Sequence, residues 1–136
     1  MRVFALAILV MTACGDDKPE CSRSDRSGTY LLEYREYADG TCGPISDSVV
    51  QTGGGGSGPG QCNVTYENWS SDDCELETTV VCNDPSLNAV GTFVSKTRQS
   101  DDNADVIDGI TTLTARDADT GALLCVSTYD VLLTRQ

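Results

Sequence analysis

Histidine is absent from this chain of 136 residues, and aromatic, proline and basic residues are scarce. The sequence has one Trp, two Phe and five Tyr, four Pro, and nine Lys and Arg against 21 Asp and Glu. Without histidine, neither a Ser–His nor a Cys–His catalytic pair can form, and the commonest metal ligand is missing. We therefore expect a protein that is not an enzyme and that has no cofactor.

The shortage of basic residues leaves a net charge of −12. A surface of this sign repels the phosphates of nucleic acids, so we expect no nucleic-acid partner. The simplest role of the excess acid is to keep an exported domain soluble.

Long apolar runs are also missing. The longest is Val3–Met11, which follows Arg2. It is about half as long as a membrane-spanning helix, and a short apolar run after a positive charge is typical of a signal peptide. We expect residues 1–13 to be a signal peptide.

The apolar run ends in Met11-Thr12-Ala13-Cys14, followed by Gly15-Asp16-Asp17. This segment resembles a bacterial lipobox, in which an apolar residue and two small ones precede a lipidated cysteine. The resemblance implies that the signal is cleaved before Cys14 and that the Cys14 sulfur carries a diacylglycerol. It also implies a protein of the bacterial cell envelope, lipid-anchored to a membrane, with the outer membrane as the expected one.

After the lipobox the chain divides into a tether and a domain. Residues 14–27 are polar and charged and lack helical or strand periodicity, which predicts a lipidated flexible tether. Residues 28–136 are expected to form a single β domain. A domain of this size with few aromatic residues has a modest core and needs additional stabilisation.

The domain sequence consists of strand-like stretches separated by Gly, Asp, Asn, Ser and Pro clusters. The first stretch places Tyr30, Leu32 and Tyr34 on one face, and Asp117–Gly121 is a hairpin loop before the last stretch. The pattern predicts an all-β, antiparallel, up-and-down curled sheet or small barrel of about seven to eight strands, stapled by disulfides. The expected strands are residues 29–37, 44–52, 61–69, 74–82, 89–97, 107–116 and 122–134.

Six cysteines remain of the seven when Cys14 is set aside, and an even number in an exported chain predicts three disulfides. No two have the CxxC spacing of a zinc site, so no metal site is expected. Cys62 and Cys82 oppose each other across a hairpin that turns at residues 70–73, with Val64, Tyr66, Leu76, Thr78 and Val80 on the same face. We predict a Cys62–Cys82 bond and leave open how Cys21, Cys42, Cys74 and Cys125 pair.

Two loops could be binding sites. Residues 53–60 are glycine-rich but lack the lysine and the helix of a phosphate-binding loop, so a flexible hairpin loop is expected. Residues 101–108 alternate acids as cation loops do, but Val106 and Thr112 replace the Gly and Glu that an EF-hand loop requires. A solvated acidic turn is the simpler interpretation.

The whole domain has a second resemblance. Gly28-Thr29-Tyr30 at its start and Thr134-Arg135 at its end resemble lipocalin-type barrels, in which an aromatic of the first strand packs on a basic residue of the last. The resemblance implies a contact between Tyr30 and Arg135. In its length and cysteine content, the chain also resembles small cysteine-rich lipoproteins of unknown function.

These observations predict a lipid-anchored envelope lipoprotein with a non-enzymatic binding or structural β domain. One alternative is a periplasmic inhibitor or a small-ligand-binding, lipocalin-like barrel, and another is a calcium-assisted adhesion module. An enzyme would need paired carboxylates such as Glu75 and Glu77, which alternate on one strand face that is more simply a solvent face. The expected partners are the membrane, through Cys14, and an unidentified protein or small molecule.

Overall fold

Seven stretches rich in Thr, Val, Leu and Tyr form β-strands in the computed structural model, which describes residues 26–52, 61–100 and 103–136. These residue types favour strands because branched and aromatic side chains pack well on a pleated surface. The described residues contain no α-helix. The strands are β1 (Gly28–Glu36), β2 (Ser48–Thr52), β3 (Gln61–Ser70), β4 (Glu75–Asp84), β5 (Ala89–Gln99), β6 (Val106–Asp117) and β7 (Leu123–Arg135).

All seven strands belong to one antiparallel sheet in the order β2-β1-β7-β6-β5-β4-β3. The sheet curls into a half-barrel with β2 and β3 at its edges. The all-β, up-and-down prediction is therefore confirmed.

The two edge strands run in the same direction because six antiparallel pairings separate them. A hairpin loop joins antiparallel neighbours. Residues 53–60, which connect β2 to β3, are therefore not a hairpin loop as we expected. They lie outside the described part of the chain.

Three details differ from the predicted strands. β2 begins at Ser48 rather than at residue 44. Cys74 lies in the β3–β4 turn with a φ of 53°, outside the strand that we expected it to begin. The register of β3 shifts between Val64 and Tyr66. This bulge moves Tyr66 to the opposite face and brings Trp69 opposite Leu76 instead.

The hydrophobic core lies on one face of the sheet, which we call the inner face. Tyr30, Ile107 and Leu133 form its centre, and Leu32 and Val50 pack against them. Tyr129 and Val131, on the same face of β7, are also buried. The fully buried apolar side chains therefore belong to β1, β6 and β7.

A glycine lets the sheet curl beside this core. Gly109 lies on the inner face of β6 opposite Thr97 of β5. A Cβ atom at this position would clash with the backbone of Lys96 and Thr97. The two strands can approach this closely only because Gly109 has no side chain.

Two hairpin turns on one end of the sheet are built around aspartates. Asp84 Oδ1 accepts hydrogen bonds from the backbone of Ser86 and Leu87. Asp117 Oδ1 accepts them from Asp119 and Thr120, which confirms the predicted loop before β7. These bonds lower the pKa of both carboxyls, that of Asp84 chiefly through the Ser86 hydroxyl and that of Asp117 chiefly through the Thr120 amide.

Disulfides join parts of the sheet that the core does not reach. Cys62 and Cys82 are bonded across the β3–β4 hairpin, as the register predicted. Cys42, in the loop after β1, is bonded to Cys125 of β7. Cys74 is disulfide-bonded as well.

The two bonds between described cysteines should differ in how much they stabilise the domain. A cross-link restricts the unfolded chain more when it closes a longer loop, and the sequence separations are 83 residues for Cys42–Cys125 and 20 for Cys62–Cys82. We expect the double serine variant of the first pair to lose about 4–5 kcal/mol and that of the second about 3 kcal/mol. Equilibrium denaturant unfolding measures both losses, and the reverse order would contradict this account.

Candidate functional site

The inner face of β3, β4 and β5 is the candidate binding surface. In the register of the sheet, Trp69, Leu76, Val80 and Phe93 lie on the same face as the core. All four are only half-buried. In an antiparallel sheet, one face is normally packed against a hydrophobic core and the other faces solvent. Here the apolar side chains of three strands remain partly available for contact with another group.

Arg26 covers one end of this surface. Its guanidinium lies 5.7 Å from the centre of the Trp69 ring, in a cation–π contact. Its Nη2 donates to the Thr97 hydroxyl at 2.6 Å, and its Nη1 donates to the Thr97 carbonyl at 3.4 Å. Arg26 is 7% exposed. Arg26 is therefore part of the folded domain, whereas we predicted it to lie in the tether.

The other end of the inner face carries a polar cluster under the loop after β1. Ser127 is buried, and its hydroxyl accepts a 2.7 Å hydrogen bond from the Cys42 backbone N–H. The buried Tyr129 hydroxyl donates to the Gly43 carbonyl at 2.7 Å. A Cβ atom on Gly40 would lie 2.6 Å from the Ser127 hydroxyl, so the loop backbone packs directly on this cluster. The Cys42–Cys125 bond holds the loop in this position.

Tyr34 of β1 contacts Tyr129 of this cluster edge to face, with ring centres 5.7 Å apart. Burial, and then the neighbouring Tyr129, raises the pKa of Tyr34. Burial also raises the pKa of Tyr129, although the Ser127 hydroxyl acts in the opposite direction. Because both phenols stay protonated near neutral pH, they can donate hydrogen bonds but cannot act as general bases.

Two buried oxygens on the inner face have no hydrogen-bond partner among the described residues. One is the hydroxyl of Tyr30, whose side chain is fully buried, and the other is Oε2 of Glu36. Buried polar atoms in folded proteins are usually satisfied by protein, water or ligand. The sequence pattern placed Tyr30 on one face with Leu32 and Tyr34 but contained no signal for its unpaired hydroxyl.

Tyr30 also makes the contact that the lipocalin resemblance implied. The guanidinium of Arg135 lies 5.0 Å from the centre of the Tyr30 ring. Arg135 Nη1 donates to the Ser27 carbonyl at 2.6 Å. Gly28 has a φ of 147°, and a Cβ atom there would lie 2.5 Å from Arg135 Nη1. Only glycine lets the arginine reach over the start of β1 in this way.

The carboxylates that an enzyme would require lie on the outer face and form ion pairs. Lys96 Nζ is 3.2 Å from Glu75 and 3.5 Å from Glu77. The Glu75 hydrogen bond and charge raise the pKa of Lys96. Lys96 thus binds both acids across neighbouring strands, on the face opposite the inner face.

The acidic turn before β6, residues 101–108, lies only partly within the described residues. The Asp105 carboxylate forms an ion pair with Arg135, whose Nε lies 2.9 Å from it. Asp101 and Asp102 lie outside the described residues. Within residues 26–52, 61–100 and 103–136, no three Cys, Asp or Glu side chains are grouped so that they could hold a metal ion.

The outer face has an open depression formed by β1, β6 and β7. Its lining combines apolar side chains, four acids and one arginine. Ile110 and Leu132 are the apolar members, and the charged members are Glu33, Arg35, Asp47, Asp108 and Asp130. One of the acids, Asp130, accepts a hydrogen bond from Tyr37. The mixed lining does not match one class of ligand.

The remaining predicted site residues, Cys14 and Cys21, lie outside the described part of the chain, as does the predicted signal peptide. No family model, curated protein or solved structure matches this sequence. In the part of the chain that the structure describes, no helix is long and apolar enough to cross a bilayer.

The polar cluster predicts unequal effects at two tyrosines of the same loop region. Tyr129→Phe removes the donor to Gly43 from a fully buried position, so we expect a loss of about 1–2 kcal/mol in unfolding free energy. Tyr37→Phe is the matched control, because its hydroxyl bonds Asp130 on the exposed surface and its loss should leave stability unchanged. Urea unfolding of the two variants tests the difference. Equal losses would contradict the assignment of Tyr129 as the loop's support.

Proposed function

We propose that this protein is a lipoprotein of the bacterial envelope, anchored to the outer membrane through lipid on Cys14, with an exported domain that binds a partner. One observation carries the exported location. All five cysteines within the described residues are disulfide-bonded. Structural disulfides persist in oxidising compartments and are rare in the cytosol. This state agrees with the signal peptide and lipobox read from residues 1–14.

Binding, rather than catalysis, is the activity that the domain geometry favours. The inner face of β3–β5 presents half-buried apolar side chains, whereas the paired carboxylates Glu75 and Glu77 are held by Lys96 on the outer face. Burial of partly exposed apolar surface by a partner is favourable and therefore stabilises a complex. Glu75 and Glu77 have no comparable feature that favours a reaction, because both are paired with Lys96.

A small-ligand-binding barrel is the second candidate, and the buried Tyr30 hydroxyl favours it. The hydroxyl has no hydrogen-bond partner among the described residues. Tyr30 itself belongs to an otherwise apolar cluster with Ile107, Leu133, Leu32 and Val50. A ligand with an apolar chain and one oxygen acceptor would satisfy both properties.

The anchor proposal predicts that Cys14→Ser abolishes metabolic labelling with palmitate and releases the domain from membranes. Membrane attachment by two or three acyl chains is stable, at about 0.8 kcal/mol per buried CH₂, and is lost with them. Met11→Leu is the matched control, because it retains the cysteine and the apolar character of its position. Unchanged detergent partitioning of Cys14→Ser would overturn the proposal.

The ligand proposal predicts saturable binding of a fluorescent fatty acid, cis-parinaric acid, to the delipidated domain. We expect Tyr30→Phe to weaken this binding about fivefold, because one buried hydrogen bond is lost. Tyr66→Phe is the control, since Tyr66 is half-exposed on the opposite face. Absence of saturable binding, or equal affinity of Tyr30→Phe and the wild type, would exclude this candidate.

A further inference from the structure

At the end of the inner face next to the β3–β4 turn, Trp69 and Leu76 are only half-buried. We infer that a disulfide joins Cys74 in this turn to Cys21, and that this bond holds residues 21–25 against this end of the sheet. The inference rests on the proposed lipid anchor, because a lipidated Cys14 sulfur cannot form a disulfide.

The cysteine inventory gives the first argument. Cys74 is disulfide-bonded. The other four cysteines of the described residues bond to one another, as Cys42–Cys125 and Cys62–Cys82. The partner of Cys74 is therefore Cys14 or Cys21. If Cys14 carries the lipid, Cys21 remains.

The position of Arg26 gives the second, independent argument. It contacts Trp69 of β3 and Thr97 of β5, so it spans the inner face across Leu76 of β4. Arg26 thus places the first described residue of the chain at the ends of these three strands. Arg26 is 7% exposed, and burial of a charged group is costly unless it has partners. The inner face supplies such partners in the Trp69 ring and the Thr97 hydroxyl.

The β3–β4 turn lies at the same end of the sheet. Trp69 and Leu76, which flank this turn, are opposite each other. The Cys74 carbonyl accepts a hydrogen bond from the Gln99 backbone at 3.4 Å, which ties the turn to β5. Ser71 and Asp72 of the turn are also engaged in polar or electrostatic interactions.

Chain length permits the bond. Cys21 and Arg26 are five residues apart, which spans at most about 18 Å. Disulfide-bonded Cα atoms lie within about 7 Å of each other. Formation of the bond removes one proton from each thiol and two electrons, which pass to a disulfide oxidoreductase of the envelope. The same class of oxidant is required for the other two bonds.

The bond would also set the orientation of the domain. Residues 15–20 alone would separate the lipid from the barrel, at most about 25 Å of extended chain. The end with the β3–β4 turn and the C-terminus would then face the membrane. The opposite end, with the Asp84 and Asp117 turns, would face away from it.

Peptide mapping of the mature wild-type protein from native membranes, without reduction, tests the bond directly. A glutamate-specific protease should release Cys21–Glu33 linked to Asn68–Glu75, while the lipid mass stays on residues 14–20. A bond from Asn68–Glu75 to residues 14–20, or a free thiol at Cys74, would overturn the inference. If the Cys21–Cys74 link is present but residues 14–20 carry no lipid, the anchor proposal fails and the bond stands.

Protease protection tests whether the segment covers the sheet. Trypsin should cut after Arg23 and Arg26 about tenfold faster in the Cys21→Ser/Cys74→Ser variant than in the wild type, because the segment is then free to detach. The control is Cys62→Ser/Cys82→Ser, which also lacks one disulfide but should retain protection. Rapid cleavage of the oxidised wild-type protein at these sites would contradict the inference.

Discussion

The burial of apolar side chains under β1, β6 and β7 is the constraint on which the rest of the domain depends. Tyr30, Ile107 and Leu133 form a core that reaches three of the seven strands. The other half of the sheet, β3–β5, has no comparable burial on its inner face. Its antiparallel hydrogen bonds alone would leave it marginal in water. Covalent and charged contacts therefore hold the strands that the core does not.

These contacts lie at the ends and edges of the strands. Cys62–Cys82 fixes the β3–β4 hairpin at the open edge of the sheet, and Cys42–Cys125 fixes the loop over the polar end of the inner face. Arg135 locks the start of β1 to the end of β7 by lying on Tyr30 and binding Ser27. Arg26 does the same between β3 and β5. A small core with few aromatic residues is thus compensated at its margins.

The sequence was informative where a local pattern determines the structure. Alternation of side chains located all seven strands, and the hairpin register paired Cys62 with Cys82, because opposed positions in a hairpin follow from the turn. The same reasoning misplaced Tyr66, since a single bulge reverses the faces of the residues beyond it. No periodicity marked this bulge in advance.

Long-range contacts could not be read in this way. Cys42 lies in a segment without strand pattern, and its partner Cys125 is fixed by the return of that loop along β7. Arg26 lies in a polar run that resembles a free linker, and only the fold shows its contact with Trp69. The unpaired Tyr30 hydroxyl is equally invisible in a sequence, because it depends on what the surrounding strands fail to supply.

The use of the basic residues connects the fold to the proposed function. The chain has nine Lys and Arg in total, and several are engaged in contacts that hold the domain together. Lys96 binds Glu75 and Glu77, Arg135 binds Asp105 and Tyr30, and Arg26 binds Thr97 and Trp69. With nine basic against 21 acidic residues, the chain nevertheless carries a net charge of −12. Such a surface is repelled by anionic headgroups, so in the proposed function the membrane affinity comes from lipid on Cys14 rather than from the domain.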